Sequence, residues 1–208
     1  MTDPLFSLNG RTILLTGAGG AIGSVVATAL AERGARLALQ DISADKLGPV
    51  RQAVEAAGGT AITLPADLAD PDACGAVVRE AHALLGGLDV LINGAGINRR
   101  KPISEVTADD FDAIAAVNMR SVYFTSQAAH PLMAAGGGGS IVNLSSLSAR
   151  FSFATISVYA ATKAAVTSMT RSCAREWASD RIRVNCIEPF VIKTEFTKPL
   201  WGEDHRQR

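Results

Sequence analysis

Short continuous runs of apolar residues recur along the chain, and each ends in glycine, asparagine, serine, aspartate or proline. Runs of this length, bounded by such residues, predict β-strands that are buried on both faces. The predicted strands cover residues 12–15, 36–40, 61–64, 88–92, 140–144 and 181–187.

Segments with a helical spacing of apolar residues lie between these predicted strands. Thr107 and Ser157 precede two of them and are side chains that commonly cap a helix. Strands that alternate with helices predict an α/β fold with a parallel sheet covered on both faces. The pattern contains no linker or repeat, so we expect one domain over residues 1–208. The predicted helices follow Gly23 as far as Gly34 and cover 44–57, 70–86, 107–135 (through Asn118) and 157–178.

The composition is that of a globular protein: 48% of the 208 residues are apolar and 19% are charged. Twenty basic residues balance twenty acidic ones, which gives no overall attraction to nucleic acid or to an anionic membrane. No signal peptide or membrane-spanning run is evident. The three cysteines and three histidines show neither a disulfide framework nor metal-ligand spacing. We therefore expect a cytoplasmic protein that acts on a small molecule and holds no metal.

The first predicted strand runs into a glycine-rich segment, Gly17 to Gly23, and then into a helix. Glycines let the backbone approach an anion, and a helix N-terminus supplies N–H donors to a pyrophosphate. The pattern Gly-x-Gly-x-x-Gly fails at Ile22, whereas Gly-x-Gly-x-x-x-Gly fits with Gly19 in second place. A P-loop is excluded because no Gly-Lys-Ser/Thr follows. The alternative is a tight strand-to-helix turn that binds no ligand.

Asp41 ends the second predicted strand, 24 positions after Gly17. A carboxylate at this place accepts hydrogen bonds from the ribose hydroxyls of NAD and repels the additional phosphate of NADP. The glycine-rich segment itself carries no Arg or Lys that would attract that phosphate. We therefore predict NAD as the preferred cofactor, the alternative being a solvated Asp at the start of a loop.

Tyr159 and Lys163 are four residues apart and share one face of the last predicted helix. An ammonium group close to a phenol favours the phenolate and lowers the pKa of the phenol. Tyr159 is therefore a candidate general acid or base. An ordinary amphipathic helix would explain the pair equally well if nothing else in the chain supported it.

With these features in place, the sequence resembles the short-chain dehydrogenase/reductase family over about residues 10–200. The segment 16–23 matches the family's Thr-Gly-x-x-x-Gly-x-Gly with Ala21 at the middle glycine, and 93–96 matches Asn-Asn-Ala-Gly with Gly94 in second place. The resemblance implies a Rossmann-type doubly wound sheet with strand order 3-2-1-4-5-6. The residues that it implies in cofactor binding are Gly17, Gly19, Ile22, Gly23, Asp41, Asp67, Leu68, Asn93, Ala95, Gly96, Tyr159, Lys163, Pro189, Ile192 and Thr194.

The same resemblance implies four catalytic residues, which are Asn118, Ser146, Tyr159 and Lys163. Ser146 precedes Tyr159 by 13 residues, the spacing of the family's catalytic serine, which selects it over Ser145. The implied reaction interconverts a secondary alcohol and a ketone by hydride transfer, with Tyr159 exchanging the proton. Ser146 would bind the substrate oxygen, Lys163 the nicotinamide ribose, and Asn118 a water that links Lys163 to solvent.

Two departures from the family pattern stand near the C-terminus. Phe190 replaces the glycine of Pro-Gly-x-x-x-Thr, and a Phe there cannot adopt a positive φ without strain. The family continues into a further helix and a seventh strand, whereas this sequence ends with residues 201–208. The sixth strand is therefore expected at an edge of the sheet. A truncated, non-catalytic NAD-binding protein is the alternative that this departure supports.

The segments 97–102 and 123–129 most resemble the gluconate and 2-dehydro-3-deoxygluconate 5-dehydrogenases of the family. Asn98, Arg99 and Arg100 are therefore assigned to substrate binding. The cations of Arg99, Arg100 and Lys101 would attract a carboxylated substrate such as a sugar acid, although a polyol substrate and a merely solvated basic loop are also consistent with the pattern.

A 3-oxoacyl-thioester reductase is the runner-up enzyme, which Asp41 disfavours. The resemblance further implies a homodimer or homotetramer through the helices that carry Asn118 and Tyr159.

Overall fold

The computed structural model describes residues 4–151 and 153–200, and a parallel β-sheet forms its centre. Within these residues the sheet has six strands in the order β3-β2-β1-β4-β5-β6. This order confirms the Rossmann-type prediction and leaves β6 at one edge. Residues 201–208 lie outside the described residues. The strands are β1 (Thr12–Thr16), β2 (Arg36–Asp41), β3 (Thr60–Pro65), β4 (Val90–Asn93), β5 (Gly139–Leu144) and β6 (Ile182–Ile187).

Helices cover both faces of this sheet, as the alternating pattern predicts. Side chains alternate along β1, so that Ile13 and Leu15 pack against α1 and α2 while Leu14 packs on the opposite side with α3 and α5. None of the helices in the described part of the chain is long and apolar enough to cross a membrane. The helices are α1 (Ala21–Ala31), α2 (Ala44–Ala56), α3 (Pro71–Leu85), α4 (Ala108–Ala115), α5 (Ser121–Ala135) and α6 (Ser157–Glu176).

The long helix predicted over 107–135 is helical over 108–135, with a π-helical turn inside it. Thr107 caps α4 as predicted, in a reciprocal capping box with Asp110. A π-helical turn, Ala116–Arg120, then separates α4 from α5. Such turns insert one residue into a helix, change the direction of the side chains beyond it and often occur at functional sites. Asn118 lies within this turn and is completely buried.

The predicted cap of the last helix was wrong. Ile156 occupies the N-cap position of α6 without a side-chain hydrogen bond, and Ser157 is already helical. Thr155 precedes it with a φ of 65°, an unusual conformation for a β-branched residue. The backbone conformation of Thr155 precedes the start of α6, and no side-chain hydroxyl caps this helix.

A buried network of polar side chains joins the carboxyl ends of β4 and β5 to the helices beside them. The Asn93 amide donates to Asn143 Oδ1 at 2.9 Å and to Ser126 Oγ at 3.1 Å, and its oxygen accepts from Thr125 Oγ1 at 2.8 Å. Asn143 in turn donates to Thr170 Oγ1 on α6 at 2.9 Å. Buried polar groups are tolerated when they are paired in this way. The network therefore fixes the two central strand ends relative to α5 and α6.

Replacing Asn93 with Ala is expected to lower the free energy of unfolding by about 3 kcal/mol, because several buried partners lose their hydrogen bonds. Urea denaturation measures the change. Asn185→Ala, at an exposed position of β6, is the matched control and should change stability by less than about 0.5 kcal/mol. Equal effects of the two substitutions would contradict the importance of the network.

Candidate active site

A cleft lies beyond the carboxyl ends of the central strands, where open α/β sheets bind their ligands. It has a volume of about 190 Å³ and is bounded by the glycine-rich segment, the end of β5, one face of α6 and the chain after β6. The predicted site residues that line it are Gly17, Ile22, Gly23, Gly96, Ser146, Tyr159, Lys163, Pro189, Ile192 and Thr194.

The glycine-rich segment is packed too tightly to accept side chains at two of its predicted glycines. Gly17 has a φ of +68°, and a Cβ there would lie 2.7 Å from the backbone nitrogen of Ala95. A Cβ on Gly23 would lie 2.2 Å from the carbonyl oxygen of Gly17. Helix α1 begins at Ala21, directly after this turn. The bare backbone followed by a helix N-terminus fits the pyrophosphate of a dinucleotide.

Asp41 stands beside this segment at the end of β2. Its Oδ2 accepts a hydrogen bond from the Gly19 amide at 3.1 Å, and the residue is almost completely buried. Sequence reasoning missed Lys46, which lies in the first turn of α2. A Cβ on Gly19 would lie 2.6 Å from Lys46 Cβ, so this lysine stem borders the same corner of the site. In the sequence, the feature that could have identified Lys46 is its position five residues after Asp41.

The remaining predicted cofactor residues lie outside the lining of the cleft. Asp67 is exposed, and its carboxylate accepts from the Ala69 amide at 2.9 Å, while Leu68 beside it is buried. Asn93 points into the core, where the network described above uses its amide, so its side chain is directed away from the cleft. The backbone of Ala95 touches Gly17, as noted above.

Asn118 holds the loop after β4 against the π-helical turn. Its Oδ1 accepts from Ile97 N at 2.8 Å, and its Nδ2 donates to Ile97 O at 2.9 Å and to Thr162 Oγ1 on α6 at 3.3 Å. A Cβ on Gly96 would lie 3.4 Å from Asn118 Oδ1 and 3.6 Å from Lys163 Nζ. The structure thus brings Asn118 and Lys163 to the same point of the cleft.

Lys163 is buried, with 4% of its surface exposed. Its ammonium donates to the carbonyl oxygen of Leu144 at 2.6 Å and lies 5.6 Å from the centroid of the Tyr159 ring. Burial disfavours the charged form and lowers the pKa of Lys163 to about 8.

The structure does not bear out the expectation that Lys163 lowers the pKa of Tyr159. Burial raises the pKa of Tyr159, and the two influences that oppose it are a hydrogen bond with Ser146 and the charge of Arg100. The Lys163 ammonium donates to the Leu144 carbonyl, and it is not among the groups that shift the pKa of Tyr159. Arg100 is therefore a cation that acts on Tyr159 from outside helix α6.

The two adjacent serines after β5 have different surroundings. Ser145 Oγ is buried, donates to the Lys163 carbonyl at 2.9 Å and contacts Thr167 Oγ1 at 2.8 Å. Ser146 Oγ lines the cleft and accepts from the Ser148 amide at 3.2 Å. Both serines line the cleft, but the Ser146 hydroxyl is the one that hydrogen-bonds Tyr159. The role of Ser146 as the catalytic serine stays a prediction.

A second, smaller cavity adjoins the cleft and shares Ser146 and Tyr159 with it. Phe190 lines both cavities, and its ring lies 6.1 Å from that of Phe153. Phe190 does not adopt a positive φ, so the strain expected from replacing glycine does not arise here. Its side chain forms part of the pocket wall. Arg100 contributes a cation to the lining of this cavity.

The other residues of the basic loop are placed differently from the prediction. Arg99 and Lys101 both form ion pairs with Asp110, at 3.2 Å and 2.5 Å, and neither lines the cleft or the adjoining cavity. The attraction of a carboxylated substrate by the three cations stays a prediction. Asn98 is not in the lining of either cavity. Both polar atoms of its amide are buried without a hydrogen-bond partner among the described residues.

Lys163→Met should make the protein more stable at neutral pH while removing an ammonium from the cleft. The pKa of Lys163 is about 8 in the folded chain and 10.5 for the free side chain, so the penalty for burying the charge is complete below pH 8 and disappears as the pH rises from 8 to 10.5. We expect a gain of about 2 kcal/mol at pH 7 after allowing for the lost hydrogen bond, with the difference narrowing above pH 8. Chemical denaturation across this pH range measures it. Lys198→Met, at an exposed lysine, is the control for the loss of a lysine charge at the surface.

Comparison with known proteins gives a consistent result. A family model described as short chain dehydrogenase matches residues 11–205. Gluconate 5-dehydrogenase of Gluconobacter oxydans is 36% identical over 205 residues, which cover 98% of this chain and 80% of that enzyme. D-threitol dehydrogenase of Mycolicibacterium smegmatis is 33% identical over 196 residues, which cover 94% of this chain and 75% of that enzyme.

Among solved structures, a gluconate 5-dehydrogenase from Burkholderia cenocepacia in complex with NADP and tartrate has a TM-score of 0.90. It is 33% identical and covers 96% of this chain and 79% of its own. The fold, the glycine-rich segment, the cleft beside it and the match to the family model all indicate the same family. The chain therefore belongs to the short-chain dehydrogenase/reductase family of NAD(P)-binding alcohol oxidoreductases.

Proposed function

We propose that this chain interconverts a secondary alcohol and a ketone of a sugar acid, with NAD as the cofactor and Tyr159 as the general acid/base. The observation that carries the proposal is that Ser146, Tyr159 and Lys163 line the same cleft as the glycine-rich segment. The relatives described above as gluconate 5-dehydrogenases support the substrate class. A polyol is the other substrate class to which a relative points.

The proposed work of the side chains is to bind the substrate oxygen and to move one proton. Ser146 Oγ accepts from the Ser148 amide, which leaves its own hydrogen to donate to the substrate oxygen or to Tyr159. Tyr159 takes the alcohol proton in oxidation and returns it in reduction. Lys163 is proposed to bind the nicotinamide ribose. Asn118 Oδ1 retains a second lone pair with which to hold a water near the Lys163 ammonium.

NAD, when bound, would supply the hydride acceptor for oxidation and the hydride donor for reduction. The glycine-rich segment and the start of α1 are proposed to bind the pyrophosphate of NAD. Asp41 is proposed to bind the adenosine ribose, and Asp67 and Leu68 are proposed to bind the adenine. Pro189, Ile192 and Thr194 are proposed to contact the nicotinamide end, since they line the cleft beside Tyr159.

Arg100 is the proposed contact for the carboxylate of a sugar acid. It lines the cavity that holds Ser146 and Tyr159, which is where a substrate oxygen must lie for proton exchange. Phe153, Phe190 and Phe196 line the same cavity and would exclude water from the substrate carbon chain. A guanidinium in such surroundings favours a planar carboxylate by paired hydrogen bonds.

We further propose that the chain assembles as a homodimer or homotetramer through α4, α5 and α6. Phe111 on α4 and Tyr123 on α5 support this, since they are 52% and 50% exposed in the single chain. Large apolar side chains of this kind are common in the interfaces of homo-oligomers.

Tyr159→Phe is expected to reduce kcat for NAD-linked oxidation of D-gluconate by at least about a thousandfold, because the ring remains while the exchangeable proton is lost. The dissociation constant for NAD, measured by calorimetry, should change by less than about threefold. Tyr123→Phe, at the only other tyrosine of the sequence, is the matched control and should retain activity. Substantial turnover by the Tyr159 variant would refute the assignment.

The cofactor preference is tested by steady-state kinetics with NAD and NADP. We expect kcat/KM to favour NAD by at least about tenfold, since the Asp41 carboxylate repels the phosphate of NADP. Asp41→Asn keeps an oxygen for the Gly19 amide but removes the charge, and it should narrow the preference. Equal kcat/KM values for the two cofactors with the unaltered chain would show that Asp41 does not select NAD.

A further inference from the structure

Asp110 is a buried carboxylate that gathers the polar groups around the start of α4. Its side chain is 7% exposed and accepts from Arg99 Nη1 at 3.2 Å and from Lys101 Nζ at 2.5 Å. It also accepts from the amide of Thr107 at 3.2 Å and from Thr107 Oγ1 at 2.9 Å. These donors, Lys101 first among them, hold the pKa of Asp110 well below its usual range, so the group is charged throughout the physiological range.

The two cations that Asp110 engages stand on either side of Arg100 in the sequence. With the side chains of Arg99 and Lys101 held by Asp110, the side chain between them lies in the wall of the cavity instead. The Lys101 amide also donates to the Thr155 carbonyl at 3.0 Å, which joins this loop to the entry of α6. The loop is therefore fixed on both sides of Arg100. The side chains of Arg99 and Lys101 bind Asp110, and the backbone of Lys101 binds Thr155.

We propose that Asp110 is a positioning residue for substrate specificity, which holds Arg99 and Lys101 so that Arg100 alone presents its guanidinium to the substrate beside Tyr159. This inference rests on the proposed function for its substrate, an anionic sugar acid. Asp110 itself does not line the cavity, so it acts through Arg100 and not by contact with the ligand.

The arrangement has a consequence for Tyr159 that does not depend on any substrate. The charged groups that face Tyr159 are Lys163 from its own helix and Arg100 from the loop after β4. Ser146 contributes a neutral hydroxyl and Phe196 an aromatic ring at 5.8 Å. The charge of Arg100 lowers the pKa of Tyr159, so displacement of Arg100 should raise it. Loss of the Asp110 charge with Arg100 still in place would lower it, which is the opposite sign.

The first experiment compares Asp110→Asn with Arg100→Gln and with the double variant, using the full chain with NAD. We expect each single substitution to raise KM for D-gluconate about tenfold, and the double variant to show no further increase, because both remove the same contact. KM for the neutral polyol D-threitol and for NAD should stay within about twofold. Asp109→Asn is the matched control, since Asp109 is an exposed carboxylate in the same helical turn.

A second variant guards against the loss of the capping box in Asp110→Asn. The double substitution Arg99→Gln/Lys101→Gln keeps Asp110 and its bonds to Thr107, and leaves Arg100 as the nearest remaining cation of the loop. We expect Arg100 to turn towards Asp110, so that KM for D-gluconate rises about tenfold although neither altered residue lines the cavity. If Arg100→Gln raises KM for D-gluconate and this variant leaves it unchanged, the proposal is overturned.

The titration of Tyr159 gives a readout that is independent of turnover. The near-ultraviolet absorbance of phenolate, taken as the difference from the Tyr159→Phe chain, should shift to higher pH in both Asp110→Asn and Arg100→Gln. Opposite shifts in the two variants, or additive effects on KM, would show that Asp110 does not position Arg100. If Arg100→Gln leaves KM for D-gluconate unchanged while both titrations shift upward, the sugar-acid function fails and the positioning role stands.

Discussion

The paired hydrogen bonds between Asn118 and the backbone of Ile97 are the contact on which the rest of the site depends. They connect the π-helical turn to the loop after β4, and through Thr162 they reach α6, which carries Tyr159 and Lys163. Because the amide is completely buried, each of these bonds forms in surroundings where an unpaired group would be strongly unfavourable. Three separate segments of the chain are thereby fixed at one point of the cleft, next to Gly96.

Much of the fold follows directly from local pattern. The six apolar runs became the six strands of the sheet; β1 and β2 are buried along nearly their whole length, whereas β6 at the edge exposes alternate residues. Gly17 lies in the turn before α1 and Gly23 in the first turn of α1, and at both positions a Cβ would meet backbone atoms. Ser146 after β5 and Tyr159 in the first turn of α6 line one cleft because strand and helix ends meet at the same edge of the sheet, whereas their spacing indicated a catalytic pair only through the resemblance to the family. The sequence pattern does not predict those features that tertiary contacts determine. The π-helical turn, the inward direction of Asn93 and the pairing of Arg99 and Lys101 with Asp110 depend on partners distant in the chain or on packing that no periodicity encodes.

The site also shows how charge is distributed between stability and chemistry. Burial lowers the pKa of Lys163 to about 8 and raises that of Tyr159. At neutral pH the lysine is still mostly charged and the phenol neutral, but the buried ammonium gives up its proton more readily than it would in water. Such perturbed groups commonly accompany catalytic function, and the surrounding structure must be stable enough to tolerate them. The buried network of Asn93 and Asn143 joins β4 and β5 to α5 and to α6, the helix that carries both groups. Stability at the strand ends and reactivity above them are therefore linked in one region.

The central claim is that this chain couples the oxidation of a sugar acid to the reduction of NAD. The most direct measurement is the formation of NADH, followed by absorbance, when the purified chain of 208 residues is mixed with NAD and D-gluconate. The account predicts saturable reduction of NAD that requires D-gluconate and produces a keto acid in equal amount. A folded chain that binds NAD but forms no NADH with D-gluconate would contradict it.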